Sequence, residues 1–366
     1  MKCGDFRISY QTDDSIFESR SSRGWLIAFL LFMLVFPYTF LATPYAMDIV
    51  DRILFYAVGA VGFNILVGFT GQISIGHAAF ISIGAYTATL LGGGIELTGF
   101  SWSVDPHITL PFTLPFWLCI PIAGVVAAAI GMIFGLPSLR LKGFYLVMAT
   151  FAAHFIWQFT SEHWLWLTNG NQALLVPTPS LFGLELDSDR SRYYLFLLVC
   201  VLAVWSGKNL FRTKVGRAFL AIRDQDISAQ VMGVNLYTYK LLAFGIGSFY
   251  AGVSGALMAY HSQIITPELF YIELAIDYFV IIVVGGIGSI LGSVYGAIFI
   301  ILFPEMLSEI STVLGHGYPR LLTAFAYLRQ FIFGLVIVLF LIFRPEGLAD
   351  IWRKTKNYFA VWPFAY

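Results

Sequence analysis

The segment GRAFLAIRDQDISAQVMGVN, residues 216–235, is a charged, helix-prone break in a chain dominated by long apolar stretches. Apolar runs at 192–207 and 240–261 flank it, and each approaches the roughly 20 residues that a helix needs to cross a bilayer core. Of the 366 residues, 58% are hydrophobic and 11% are charged, whereas soluble domains are about 25% charged. The pattern predicts a polytopic membrane protein that presents this polar segment to something soluble.

Ten apolar stretches are interpreted as membrane spans, so the predicted fold class is all-α, a polytopic transmembrane helical bundle of about ten spans with broken helices. A β-barrel would instead alternate apolar and polar residues along each strand. The predicted spans are 25–43, 52–70, 74–93, 115–136, 143–160, 192–207, 240–261, 273–287, 290–309 and 329–344.

The basic residues orient the predicted bundle, because Lys and Arg in short loops favour the cytoplasmic side. With the N-terminus inside, 16 of the 21 Lys and Arg residues fall in cytoplasmic loops and tails, so we expect both termini inside, N-in/C-in. The predicted organisation is a cytoplasmic N-terminal tail at 1–24, a transmembrane domain at 25–348 that contains a polar cytoplasmic segment at 208–239, and a cytoplasmic C-terminal tail at 349–366.

The polar cytoplasmic segment is expected to contain a short amphipathic helix. Asp224 and Asp226 lie near its predicted start, where the helix dipole favours negative charge. Ile227 and Val231 form an apolar stripe at helical spacing, and Gly233 suits a left-handed residue after the helix. Such a helix either fits a groove on a soluble subunit or rests on lipid headgroups, and the sequence leaves both open.

Two predicted spans are rich in glycine: GFTGQISIGHAAFISIGAY at 68–86 and VVGGIGSILGSVYGAI at 283–298. Clustered glycines predict unwound backbone, and broken helices at matching places in two halves mark the central pathway of many transporters. Close helix packing explains the same glycines equally well. The residues assigned to a substrate pathway are Asn64, Gly71, Gln72, Ser74, Gly76, His77, Asp277, Gly285, Gly286 and Gly288.

Polar side chains in these spans are costly facing lipid and are expected to turn inward. For His77, a hydrogen-bonded packing group is favoured over a ligand contact. Asp277 either binds a substrate amine, relays a proton or locks helices by hydrogen bonding. An ion-coupled carrier that uses Asp277, Glu273 and His77 therefore remains an alternative function.

Other function classes have little support in the sequence. The formal net charge is zero, so the chain has no overall positive charge that would attract nucleic acid. The three cysteines show neither a metal-ligand nor a disulfide pattern. There is no H-E-x-x-H spacing, so we predict no catalytic residues and no metal site. No nucleotide-binding motif is present either, so an energy source has to come from a partner.

Several of these segments resemble the LivM-type permeases of branched-chain amino acid ABC importers. The matching stretches are NILVGFTGQISIGHAAFISIGAYTATLL at 64–91, LPSLRLKGFYLVMAT at 136–150, VGRAFLAIRDQDISAQVMGVNLYTYKLLAF at 215–244, ITPELFYIELAIDYFVIIVVGGIGSILGSVYGA at 265–297 and RPEGL at 344–348. The string TNGNQALL at 168–175 matches only in part the glycine-rich form that is usual in the family.

The resemblance implies a fold like that of a type II ABC importer permease in the bacterial inner membrane. It implies a homologous LivH-type permease subunit, two cytoplasmic ATPase subunits and an external solute-binding protein as partners, with ATP bound by the ATPase and no cofactor on this chain. It makes 208–239 a coupling segment that docks on the ATPase. The coupling residues are Gly216, Arg217, Ala221, Arg223, Asp224, Asp226, Ala229 and Gly233. A sister family of urea permeases shares the 64–91 motif, so urea or short amides remain the alternative solutes.

Overall fold

A computed structural model of the protein describes residues 20–39, 43–93, 95–96, 114–138, 141, 143–177, 179–181, 184–185, 188–315, 322–343 and 346–361. The helices are α1 (Arg20–Val35), α2 (Pro44–Thr70), α3 (His77–Leu91), α4 (Phe116–Ser138), α5 (Phe144–His163), α6 (Leu165–Thr168), α7 (Asp189–Leu210), α8 (Lys214–Asp224), α9 (Asp226–Val231), α10 (Leu236–Ser262), α11 (Ile272–Gly285), α12 (Ile290–Gly315), α13 (Leu322–Phe343) and α14 (Gly347–Val361). Short 3₁₀ helices lie at Phe36–Tyr38 and Pro267–Phe270.

Within the described residues, five helices are long and apolar enough to cross a membrane: α2, α4, α7, α10 and α12. The helix α3 and the stretch Phe331–Phe340 of α13 are apolar but shorter. The chain is therefore an all-α, multi-pass membrane protein, as the apolar runs predict.

The core forms around α10, which packs against α2, α3 and α4. Small residues allow this packing: a Cβ on Gly84 of α3 would collide with the backbone of Gly252 in α10, and one on Gly255 with the Ile81 carbonyl oxygen. The helix α2 also packs against α7 and α12, while α11 and α12 form an antiparallel pair joined by a tight turn. Backbone contacts of this kind are how small residues bring membrane helices together.

Polar side chains fix where several helices begin. Thr43, Ser188, Thr213 and Asn235 precede α2, α7, α8 and α10, and each accepts a hydrogen bond from a backbone N–H in the first turn. These caps satisfy amide groups that a helix cannot pair internally. At α8 and α10 they also separate the coupling segment from the spans on either side.

A small antiparallel sheet lies at the end of the bundle opposite the coupling segment. The strands β1 (Ile95–Glu96), β2 (Leu174–Leu175) and β5 (Ile264–Ile265) pair in the order β1-β2-β5, with Ile95 opposite Leu175 and Leu174 opposite Ile265. A separate two-stranded ladder joins β3 (Ser180–Leu181) to β4 (Leu184–Glu185). All three connections that form the larger sheet are ones that the sequence assigns to the outer side.

Some predicted bounds are wrong. The second predicted span, 52–70, starts too late, because α2 begins at Pro44 and carries Asp48 and Arg52 inside the helix. Their charges are paired: Arg52 Nη2 lies 2.9 Å from Glu305 Oε1 of α12 and 3.0 Å from Asp48 Oδ2. Because Arg52 pairs with Glu305 of α12, its charge does not prevent α2 from starting earlier in the chain. A local hydropathy pattern cannot detect such a pairing between distant helices.

The helices at the ends of the chain do not coincide with the predicted domain boundaries, and the predicted tails stay predictions. The helix α1 begins at Arg20, inside the predicted tail 1–24, and ends at Val35, before the predicted end of the first span. At the other terminus α14 crosses the predicted boundary at 348 and runs to Val361. Residues 1–19 and 362–366 lie outside the described part of the chain.

Candidate functional site

The first glycine-rich region forms an irregular connection between α2 and α3. Gly71, with φ +68°, caps α2, and its N–H donates to the carbonyl oxygens of Leu66 and Val67. Ser74 is fully buried, and its Oγ accepts from the Gly76 N–H at 3.3 Å. The Ile75 N–H donates to Thr150 Oγ1 of α5 at 3.2 Å, so the non-helical backbone at 71–76 is held by protein partners. This placement agrees with the predicted break, although the predicted third span began at 74 and α3 begins at His77.

The second glycine-rich region forms a tight turn between α11 and α12, the 286–289 turn. Gly286 and Gly288 have φ values of +122° and +81°, which favour glycine. The turn is tied to Asn64, whose Nδ2 donates to Ser289 O and Ser293 Oγ at 2.9 Å each and whose Oδ1 accepts from the Gly288 N–H at 2.8 Å. Asn64 is completely buried, so its amide supplies polar partners to backbone groups of the turn that no helix pairs.

The two breaks meet at Arg223, near the end of α8. A Cβ placed on Gly71 would lie 3.7 Å from Arg223 Cγ, and a Cβ on Gly288 would lie 2.5 Å from Arg223 Nη1. The stem of Arg223 therefore covers one break, and its guanidinium group covers the other. This contact joins residues that the sequence assigned separately to the substrate pathway and to the coupling segment.

A cavity of about 330 Å³ opens where the 71–76 connection faces the coupling segment. Gln72, Asp226 and Lys240 are among its lining residues. Gln72 Nε2 donates to Thr70 Oγ1 at 2.9 Å, while Lys240 Nζ lies 3.8 Å from Asp226 Oδ2. The cavity therefore presents amide, carboxylate and ammonium groups side by side at the coupling-segment end of the bundle.

His77 and Asp277 do not lie on that cavity. His77 is buried at the start of α3, where its Nε2 lies 3.1 Å from the Gly59 carbonyl oxygen and its ring contacts those of Phe63 and Tyr278. This geometry fits the packing interpretation of His77. Asp277 is half-buried in α11, one turn after the exposed Glu273.

The coupling segment forms two helices instead of the single short helix that was predicted. The helix α8 ends at Asp224, Gln225 is extended with φ −162°, and α9 starts at Asp226. Asp224 therefore ends α8, two residues before α9 begins, and Asp226 lies in the first turn of α9 as predicted. Gly233, with φ +89°, follows α9 as predicted, and its N–H donates to Gln230 O at 3.0 Å.

The remaining coupling residues divide into packed and exposed groups. Gly216 and Ala229 are buried, and a Cβ on Gly216 would collide with the backbone of Leu210 and Phe211. Arg217 is exposed and Ala221 is half-buried. The apolar side chains of Ile227, Val231 and Met232 are 65%, 82% and 84% exposed, which is unusual outside the apolar spans. They leave an apolar surface at the tip of α9.

A charged cluster at the other end of the bundle was missed by the sequence reasoning. Arg52 pairs with Glu305, Tyr45 Oη donates to Glu305 Oε2 at 2.7 Å, and His261 Nε2 lies 3.1 Å from Asp48 Oδ1. The cluster joins α2, α10 and α12. The only sequence signal for the cluster was one charge of each sign in two apolar runs, Arg52 and Glu305. No local pattern indicates that these two residues pair.

Most of the chain matches a known protein family. Residues 45–341 match the family described as "Branched-chain amino acid transport system / permease component". The chain belongs to this family. The high-affinity branched-chain amino acid transport system permease protein LivM of Escherichia coli (strain K12) is 30% identical over 360 residues, which cover 91% of this chain and 77% of that protein.

More distant members of the permease family also match. The probable branched-chain amino acid transport permease protein LivM of Methanocaldococcus jannaschii is 23% identical over 83% of this chain and 94% of its own length. The E. coli permease LivH is 24% identical over 66% of this chain and 78% of its own length. No solved structure matches the chain significantly. The similarity to both LivM and LivH proteins identifies this chain as a permease component and not as an enzyme.

Proposed function

We propose that this chain is a transmembrane permease subunit of an ATP-driven ABC importer for branched-chain or related amino acids. The observation that carries the proposal is the coupling segment of a permease-family chain, which exposes the apolar tip of α9 and packs through α8 against both helix breaks. An exposed apolar helix tip suits a groove on a soluble partner.

The proposed assembly contains a LivH-type permease subunit, two cytoplasmic ATPase subunits and an external solute-binding protein. The match to LivH proteins as well as LivM proteins supports a homologous membrane partner. ATP is hydrolysed on the ATPase, and this chain carries no cofactor. The proposed location is the bacterial inner membrane, with ten spans and both termini in the cytoplasm, which puts the coupling segment inside and the β1-β2-β5 sheet outside.

In the proposed mechanism, solute passes between permease subunits, and nucleotide binding on the ATPase moves the coupling segment. Shifting the permease between inward- and outward-open states requires that the partners contact the two states differently. The cavity beside Gln72, Asp226 and Lys240 lies on the cytoplasmic side of the proposed path. Its mixed charges suit the ammonium and carboxylate groups of an amino acid.

Purification tests the assembly. The importer is isolated through a tag on this chain, and L-leucine uptake is measured in liposomes with ATP inside or with only an ion gradient. We expect uptake with ATP that depends on the binding protein. Uptake by the chain alone, driven by a proton or sodium gradient, would establish the ion-coupled alternative, and uptake of urea in place of leucine would establish the amide alternative.

A substitution tests the docking surface. We expect Val231→Asp to remove the ATPase from the purified complex, because a charge at an 82% exposed apolar position disturbs an interface and not the core. The matched control is Leu165→Asp, the same kind of change at a 65% exposed residue of α6, at the opposite end of the bundle. Retention of the ATPase by Val231→Asp would show that α9 is not the docking surface.

A further inference from the structure

Three segments that are far apart in the sequence contact the 286–289 turn. They are α2 through Asn64 and Gly68, α8 through Arg223, and the start of α14 through Glu346 and Gly347. The turn and these three segments each lie in a different motif of the family resemblance, including RPEGL at 344–348, which has no role in the function proposed above. Their convergence on one turn needs a physical explanation.

Asn64 holds the turn against α2. Its Nδ2 donates to the carbonyl oxygens at both ends of the turn, Gly286 O at 3.4 Å and Ser289 O at 2.9 Å, and to Ser293 Oγ at the start of α12, while its Oδ1 accepts from the Gly288 N–H. A Cβ on Gly68, one helical turn further along α2, would lie 2.6 Å from the Gly288 nitrogen, so backbone meets backbone there. Such contacts have no side-chain rotamers to absorb movement, and a close-packed interior transmits displacement.

Arg223 and the start of α14 contact the turn from other sides. The Arg223 guanidinium lies over Gly288, while a Cβ on Gly347 would lie 2.5 Å from the Gly286 nitrogen. Gly347 has φ +73°, so glycine is favoured both by its backbone and by its contact. The turn therefore contacts α2, the coupling segment and the start of α14, while Ile287 within it is 43% exposed.

We propose that the 286–289 turn is the joint through which movement of the coupling segment reaches α2, α11 and α12, with Arg223 and Asn64 as its positioning residues. The inference rests on the proposed function and goes beyond it. It assigns Asn64, Gly286 and Gly288 to transmission of movement and removes them from the solute path. Solute affinity and transport rate then respond differently to changes at the turn.

The test uses the complete importer, purified through this chain, with L-leucine uptake and ATP hydrolysis measured on the same liposomes. We expect Gly288→Ala to displace the Arg223 guanidinium and to lower the maximal uptake rate about tenfold, since coupling changes of 0.5–2 kcal/mol are typical and 1.4 kcal/mol is a factor of ten. KM for leucine stays within about twofold and ATP hydrolysis continues, so more ATP is used per leucine.

The matched control is Gly170→Ala. Gly170 also has positive φ, +60°, but its Cβ position meets Leu165 and Glu162 at the opposite end of the bundle, so this variant carries backbone strain away from the turn. We expect it to transport like the wild type. If Gly288→Ala does not assemble, Arg223→Ala and Arg223→Lys replace it, because the Arg223 side chain is exposed and outside the core. Arg223→Ala is expected to show the same uncoupling and Arg223→Lys to restore part of the uptake.

Three results would overturn this proposal. A raised KM at unchanged maximal rate would indicate solute contact, and a parallel fall in uptake and ATP hydrolysis would indicate a merely structural role. Full coupling in both the Gly288 and the Arg223 variants would show that the turn does not transmit movement. Failure of the proposed function is distinct, because the wild-type complex itself would then show no uptake that depends on ATP.

Discussion

Asn64 accepts a hydrogen bond from Gly288, which lies 224 residues further along the chain. It shows how much of a single residue's role can be predicted from the sequence. A buried amide in an apolar helix is costly unless it is paired, so inward orientation was predictable. The partners were not, because a hydropathy pattern contains no information about which distant backbone groups lack hydrogen bonds. The same holds for Arg52 and Glu305, whose pairing moves the start of α2.

Asp350, on the surface helix α14, gives a pH prediction at the scale of one residue. Lys354 Nζ lies 2.5 Å from Asp350 Oδ2, and Arg353 Nη2 donates to Asp350 Oδ1 at 2.6 Å. The hydrogen bond from Lys354, with that from Arg353, holds the pKa of the Asp350 carboxyl below its ordinary value. Because the pKa is lower in the folded protein, the stabilisation is present above the ordinary value of about 3.9 and is lost as the pH falls through the lower one.

We therefore expect the amide NMR signals of α14 to stay unchanged from neutral pH to about pH 4 and to shift below it. Asp350→Asn is expected to remove that transition and to give at neutral pH the spectrum that the wild type shows in acid. A wild-type transition centred above pH 5 would contradict the assignment.

At the scale of elements, the apolar runs predicted most helices well, whereas the coupling segment contains two helices and not the single short helix that was predicted. Gln225 interrupts it without any proline or glycine, so no local signal marked the break between α8 and α9. The glycine-rich regions were predicted to unwind, and the structure places non-helical backbone at 71–76 and 286–289. Their meeting at Arg223 is a tertiary contact between segments with no sequence similarity, which explains why pathway and coupling residues were predicted as separate sites.

The contact between α3 and α10 supports a stability prediction. Gly84→Ala puts a methyl group into the backbone of Gly252, and overpacking of this kind costs about 1–3 kcal/mol. We expect a lower midpoint in thermal unfolding of the detergent-solubilised protein. Gly334→Ala in α13 is the control, because nothing lies within 4 Å of its Cβ position and a helical Gly→Ala change by itself stabilises by about 0.5–1 kcal/mol. Equal midpoints for the two variants would show that the helices are not in backbone contact.

At the scale of the whole molecule, the fold has two distinct ends, with the coupling segment at one and the β1-β2-β5 sheet at the other. Which end faces the cytoplasm stays a prediction from the distribution of basic residues. The count of spans rests on sequence, since five helices of the described chain meet the length and hydropathy expected of a span.

Cysteine labelling tests the orientation. In a background with Cys3, Cys119 and Cys200 replaced by serine, Leu165→Cys is expected to react with a membrane-impermeant maleimide in intact spheroplasts, because Leu165 is exposed at the proposed outer end. Met232→Cys, 84% exposed on the coupling segment, is expected to react only after permeabilisation. The reverse labelling pattern would invert the proposed topology.

The β1-β2-β5 sheet, small as it is, constrains where the protein can admit its cargo. Its strands continue directly from the far ends of α3 and α10, and β2 ties them together through paired backbone groups. Those two helices are therefore linked at this end of the bundle. In the proposed orientation this end faces outward, so we expect solute to enter along another edge of the subunit.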